Sequence, residues 1–263
     1  MSPEPDEKLA EGTLISHLLE LRSRLMRAMI AILIALIPCA YYQNTIFTFV
    51  AQPLIDRLPK GVTLIATNVM APFMAPFTLA LFVALFIAMP YVLYQIWAFV
   101  APGLYKHEKK FAIPLLVSSV LLFYGGVAFA YKFVFPAVFK FFVSTTPKGV
   151  TMSTDISSYL SFVVKIFFGF GLAFEVPIAV VLLVITGLVS LEKLRSNRGY
   201  VLIGIFIIAA ALTPPDAISM SIMAIPMYLL YEGGLIMAYF LAKMRREQAE
   251  REEEEQKRGG GKS

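Results

Sequence analysis

The chain alternates long apolar runs with short polar punctuation. The runs cover Leu25–Tyr42, Phe73–Val100, Phe111–Tyr131, Tyr159–Leu188, Tyr200–Leu212 and Ile218–Leu241. A helix needs about 20 apolar residues to cross lipid, and five of the six runs approach or exceed that length. Backbone in lipid must satisfy its own hydrogen bonds, so each run predicts a helix. No ten-residue alternation of the kind that builds a membrane barrel is present. The pattern therefore predicts an all-α membrane protein with six transmembrane helices. The fifth run is short: Tyr200–Leu212 rises about 20 Å, against a hydrocarbon core of about 30 Å. The rigid turn Thr213-Pro-Pro-Asp216 follows it directly. Either the bilayer thins there or neighbouring protein shields the helix.

Two connections are long, Gln43–Pro72 and Val134–Ser158. Each carries apolar pieces, Ile46-Phe-Thr-Phe-Val50 and Phe135–Val143, which predict short helices capping the spans. Prolines recur inside the runs at Pro38, Pro76, Pro90, Pro114, Pro177 and Pro226. Each removes a backbone donor and favours a kink. Ahead of the first run, Leu14, Leu18, Leu21 and Leu25 recur at helical spacing, with Glu20 on another face. Residues 1–24 thus form a cytoplasmic amphipathic segment and 25–242 the membrane domain. Residues 243–263 form a charged tail, a solvated helix or disorder.

Charge adds orientation. The 23 lysines and arginines are unevenly placed. Arg57, Lys60, Lys132, Lys140 and Lys148 fall on one side and Lys165 inside a span, where it can snorkel. The others fall on the opposite side, which puts both termini in the cytoplasm. Met1–Gly12 is acidic rather than basic, so the first run reads as a retained span and not a cleaved leader. Overall, 58% of the 263 residues are hydrophobic and 16% charged, where a soluble domain carries about 25% charge. The mean hydropathy is +0.73. No separate soluble domain fits. The net charge of +5 is explained by cytoplasmic loops and tail, not by nucleic acid. A single cysteine, Cys39, excludes an intrachain disulfide and a cysteine metal cluster.

Candidate chemistry is sparse. Residues 61–105 carry no charge, and then Glu108 stands among Lys106, Lys109 and Lys110. An isolated acid in a basic membrane-surface loop is what a receptor for a basic peptide would present. Glu20 lies at the same surface. Two carboxylates near lipid suit two adjacent arginines, since a guanidinium docks bidentate where lysine cannot. An alternative for Glu20 is an intrahelix pair with Arg24 at i,i+4. Glu175, mid-span, either lines a wet pocket or bonds a neighbouring helix. Glu232, beside Gly233-Gly234, reads as structural, the glycines allowing close helix approach.

A small-solute transporter would show paired broken helices and midplane charges, of which only Glu175 is present. No nucleophile–base pair or cofactor motif stands out. Near the C-terminus, Gly259-Gly-Gly-Lys-Ser263 lacks the first glycine of a phosphate loop, since Gln256 stands there. No enzyme activity, cofactor or metal is expected.

The segments His17-Leu-Leu-Glu-Leu-Arg22, Ala51-Gln-Pro-Leu-Ile55, Trp97-Ala-Phe-Val-Ala-Pro-Gly-Leu-Tyr-Lys-His-Glu108, Ser153-Thr-Asp155, Phe174-Glu-Val-Pro177 and Leu212-Thr-Pro-Pro-Asp216 together resemble the TatC family of the twin-arginine protein translocase. The resemblance spans about Thr13 to Lys243. It implies a concave six-span bundle with extracytoplasmic cap helices in the bacterial cytoplasmic membrane. It also implies binding of twin-arginine signal peptides of folded proteins, single-span TatB-like and TatA-like partners, self-association, and drive by the proton gradient. By resemblance, Glu20 and Glu108 bind the arginines, and Arg22 and Phe99 shape that surface. Pro53 and Asp155 belong to the cap, Glu175 to the concave face, and Thr213 and Asp216 to a polar partner-docking region. Met220 departs from the polar residue expected beyond Asp216. A folded passenger of about 100 residues has a radius of gyration near 13 Å. Six helices, each about 10 Å across, cannot enclose it, so the chain is a receptor and assembly platform rather than a complete pore.

Overall fold

The computed structural model describes residues 5–55, 65–100, 112–145, 147, 155–213 and 216–259, and these are almost wholly helical. In chain order the helices are α1 Pro5–Tyr41, α2 Gln43–Ile55, α3 Ala71–Val100, α4 Ala112–Phe129, α5 Phe135–Thr145, α6 Ile156–Ala173, α7 Val176–Ile185, α8 Leu191–Ser196, α9 Arg198–Leu212 and α10 Ala217–Gly259. Among the described residues, five stretches are long and apolar enough to cross a membrane: Leu18–Tyr41, Ala71–Phe99, Ile113–Phe142, Ile156–Ile185 and Ala217–Met244. The apolar helix α9, with 15 residues, is shorter, about 22 Å at 1.5 Å per residue. The amphipathic segment and the first span are one helix, α1. At the other end, α10 continues from the last span through the charged segment to Gly259.

Packing divides the chain into two units. The first comprises Met1–Val120 and Pro147–Val164. In it, α1 packs along α3 and α2 also packs on α3. The contact is built from small side chains: Cys39, Ala80 and Ala84 are buried together, flanked by Ala35, Leu36, Ile46 and Val83. Ala80, Ala84 and Ala88 fall at i, i+4 and i+8 on α3, and all are buried. Such a stripe lets helix backbones approach closely where lipid supplies no hydrophobic drive between helices. The opposite face of α1 is open, with Leu25, Met29, Leu33 and Ile37 exposed.

The second unit comprises Leu121–Thr146 and Lys165–Ser263. Its main contact joins α7 to α10, around buried Val180, Val181, Tyr231, Leu235 and Ala238. Gly234 makes this approach possible, because a Cβ there would meet Pro177 Cα at 2.8 Å. Its neighbour Gly233 has nothing within 4 Å of such a Cβ, so only one of the two glycines serves helix contact. Phe129 packs on Phe170 and Phe174, with ring centroids 5.8 and 5.6 Å apart.

The backbone departs from the sequence reading in two places. The run Tyr159–Leu188 is not one straight helix: α6 ends at Ala173 and α7 starts at Val176. Pro177 explains this, since it offers no N–H to the Ala173 carbonyl and its ring crowds that group. The turn tightens instead, with the Glu175 N–H donating to the Leu172 carbonyl at 3.0 Å. Conversely, the connection expected from Val134 does not begin there. Helix α4 passes through a π-helical turn, Ala130–Val134, directly into α5. The wider turn immediately precedes Pro136, whose ring needs room one turn back. Of the other span prolines, Pro38, Pro76, Pro90 and Pro226 lie inside helices. Pro114 falls in the first turn of α4, where its missing donor costs no hydrogen bond.

Candidate functional site

Glu20 sits on α1, a half-turn beyond the first exposed leucines of the amphipathic face. One turn on, Arg24 lies on the same side of the helix, as i,i+4 spacing requires. Arg24 Nε and Nη2 both donate to Glu20 Oε1, at 2.9 and 2.5 Å. Arg24 Nη1 also reaches Gln95 Oε1 on α3, at 3.5 Å. The Arg24 side chain is 21% exposed and that of Glu20 36%, while Gln95 is 4% exposed. The acid is thus the outer member of the pair and Gln95 the inner backing. This pairing is the alternative that the spacing of Glu20 and Arg24 had raised. Leu18 is 64% and Leu25 62% exposed, on the face of α1 turned away from Glu20.

The other residues expected at this surface are only partly brought to it. Arg22 is exposed but lies two residues from Glu20, roughly 200° around the helix. Phe99 is half-buried near the C-terminal end of α3. Glu108 lies outside the described residues.

Asp155 forms a clasp. It precedes α6, and its Oδ2 accepts from the Ser158 backbone N–H at 2.9 Å and the Ser158 hydroxyl at 3.0 Å. Its Oδ1 accepts from the Thr67 hydroxyl at 2.8 Å and the Thr67 N–H at 3.2 Å. Backbone pairing of Ile65 with Asp155 completes the junction, and the Ile156 N–H donates to the Ile65 carbonyl at 2.9 Å. Four donors on one carboxylate hold its charged form, led by the Ser158 N–H and then the Thr67 hydroxyl, and lower its pKa to about 2. Asp155 therefore caps α6 and ties the segment ahead of α3 to it. Close by, the Tyr159 hydroxyl donates to the Val50 carbonyl of α2 at 3.4 Å. Pro53 lies in α2, and its side chain is outside the described residues.

Glu175 stands at the α6–α7 break and is half-buried, with Oε1 shut off from solvent. Its neighbours Phe174 and Pro177 line an apolar groove of about 500 Å³ with Leu122, Phe129, Pro226 and Gly233. Thr213 closes α9 and is buried, its hydroxyl donating to the Ala209 carbonyl at 2.9 Å. Asp216 opens α10, its Oδ1 accepting from the Ser219 N–H at 2.7 Å; that bond pulls its pKa below the usual carboxylate range. Both polar side chains of this turn thus serve helix ends. Met220, the departure noted in the sequence, lines a second apolar groove of about 390 Å³ with Leu202, Ile203, Phe206, Ile207 and Ala210.

Glu232 has partners that the sequence did not disclose. Arg198 Nη2 donates to its Oε2 at 2.7 Å and the Tyr228 hydroxyl to its Oε1 at 2.9 Å. Arg198 is 34 positions away, beyond any periodicity, although Tyr228 at i−4 could have been found. Gln95 was missed as well; a single amide in the otherwise apolar α3 was the available signal.

A protein of Haemophilus influenzae named Sec-independent protein translocase protein TatC is 50% identical over 236 residues, covering 90% of this chain and 92% of its own. Its namesake in Escherichia coli K12 is 49% identical over 237 residues, with the same two coverages. A solved structure described as "Crystal Structure of Twin Arginine Translocase Receptor- TatC" superposes with a TM-score of 0.78 at 38% identity, covering 85% of this chain and 98% of that one. The family profile "Sec-independent protein translocase protein (TatC)" matches residues 16–226. The chain thus belongs to the TatC family, as a multi-pass membrane subunit of the twin-arginine translocase and not an enzyme.

Proposed function

We propose that this subunit is the receptor for twin-arginine signal peptides, with Glu20 and Glu108 as the arginine-binding acids. Arg22 and Phe99 border that surface. The observation that supports the reading is that Glu20 accepts a guanidinium with two donors while its side chain stays 36% exposed on α1. Hydrogen bonds to charged groups contribute about 1.5–3 kcal/mol each, and micromolar binding needs about 8 kcal/mol. Two acids therefore account for part of the affinity, and an apolar segment of the ligand supplies the rest. The exposed leucines of α1 offer it a surface.

The assembly follows from the same reading. Six spans, α9 being the fifth, sit in the bacterial cytoplasmic membrane with both termini inside. TatB-like and TatA-like single-span proteins are the partners, copies of the subunit self-associate, and the proton gradient drives export. Pro53 and Asp155 support the outer cap, Glu175 faces the path of a bound segment, and Thr213 and Asp216 hold the partner-docking end of α9. Site-specific photocrosslinking from position 108 to a twin-arginine precursor tests the receptor role. The crosslink forms with the native precursor and is lost when both arginines become lysine. No crosslink, with export intact in the Glu20→Ala, Glu108→Ala double variant, would refute the two-acid site.

A further inference from the structure

We infer that Arg24 is an internal occupant of the Glu20 carboxylate, which a ligand guanidinium must displace. The inference rests on Glu20 being an arginine-binding acid and adds a regulator to that site. Both Arg24 donors converge on one oxygen, Oε1. A ligand guanidinium docking bidentate requires both carboxylate oxygens in line. The two arginines therefore compete for the acid rather than share it. Arg24 is well placed to compete, because the i,i+4 spacing tethers it and Gln95 backs its Nη1 from α3. It is the more enclosed member of the pair, so it covers the acid from the protein side.

Competition of this kind has a definite signature. The fraction of receptor with Glu20 open is a property of the free protein, so every ligand that uses Glu20 is weakened by the same factor. Lysine and arginine ligands are both affected, and the ratio between them is untouched. An ion pair of this exposure corresponds to about two- to fivefold. The internal arginine thus sets a threshold. It lowers the occupancy of every such peptide by the same factor, and discrimination among them is left to their apolar segments.

The test measures binding of a fluorescent twin-arginine signal peptide, and of its Lys-Lys version, to the full-length protein in lipid nanodiscs. Arg24→Met removes the charge and keeps the apolar stem. It is expected to tighten both peptides by the same two- to fivefold. Gln95→Leu, which removes only the backing, is expected to tighten both by a smaller common factor. If Arg24→Met weakens the arginine peptide alone, Arg24 positions Glu20 and the inference is overturned. It is equally overturned if neither peptide responds. Should Arg24→Met not accumulate in the membrane, Gln95→Leu decides: common tightening supports the inference, and no change or weakening overturns it. Glu20→Ala separates the two levels of argument. If that change leaves arginine-peptide binding intact, the receptor site itself fails; if it weakens binding while Arg24→Met is neutral, only the internal competitor fails.

Discussion

Two adjacent glycines in α10 should respond in opposite senses to the same substitution. A Cβ at position 234 would stand 2.8 Å from Pro177 Cα and 3.2 Å from Val180 Cβ. Carbon atoms rest at about 3.5–4.0 Å, so α7 and α10 would have to part by roughly 0.7 Å. The obstacle is proline backbone, which cannot rotate aside as a flexible side chain can. Behind it lie Val181, Tyr231, Leu235 and Ala238, all buried in one cluster. Overpacking of such a contact costs about 1–3 kcal/mol. At position 233 a Cβ meets nothing within 4 Å, and alanine there gains about 0.5–1 kcal/mol of helix preference over glycine. The assay is thermal unfolding of the full chain in detergent, followed by loss of the monodisperse peak. At roughly 2–4 °C per kcal/mol for a chain of this size, Gly234→Ala lowers the midpoint by several degrees while Gly233→Ala holds or raises it. Equal shifts in the two variants would refute the assignment of close approach to Gly234 alone.

A similar contrast holds in α4: Gly126→Ala puts a Cβ 2.5 Å from the Phe170 carbonyl, whereas Gly125→Ala meets open space. Only the former should lower the unfolding midpoint. For Asp155, the folded pKa of about 2 lies below the ordinary 3.8, so its contribution is complete above roughly pH 4 and fades as the pH falls towards 2. Stability of the parent should step down across that window. Asp155→Asn, which sets an amide N–H₂ against donors, should unfold earlier at neutral pH and lack the step. For the Arg198–Glu232 pair, a double-mutant cycle with Arg198→Met and Glu232→Gln should return a coupling of about 0.5–1 kcal/mol. Additive single effects would show the ion pair to be without net value.

The helices were legible because lipid leaves the backbone few options, so run length alone located them. What the runs could not show was how the backbone passes through proline. Pro177 and Pro136 stand in apolar surroundings, yet one coincides with a break and the other follows a π turn that keeps the helix going. The difference lies in how each turn finds room for the ring, a property of packing and not of composition. The candidate site was legible in proportion to sequence distance. Glu20 and Arg24 are four residues apart, and helix geometry alone brings them together. Gln95 joins them across 71 positions, and Arg198 joins Glu232 across 34; neither pairing leaves a periodic trace. Asp155 was expected at the cap; two of its four donors come from Ser158, three residues on, and only the two from Thr67, 88 positions away, left no trace in the sequence.

The small-residue seam between α1 and α3 bears on how the Glu20 surface works. Alanine and cysteine side chains bring the two backbones together while presenting few polar atoms. The hydrogen bond from Arg24 to Gln95 is a polar tie across that contact. It lies on the same α1 segment as the carboxylate it helps to cover. Where the whole guanidinium leaves, the buried amide oxygen of Gln95 loses the Nη1 donor, a loss that costs more in a dry contact than at a surface. On the proposal above, ligand capture at Glu20 would be coupled to the seating of α1 on α3 through one guanidinium. A ligand that offers an arginine to the acid would then have to offset that loss with apolar contacts of its own.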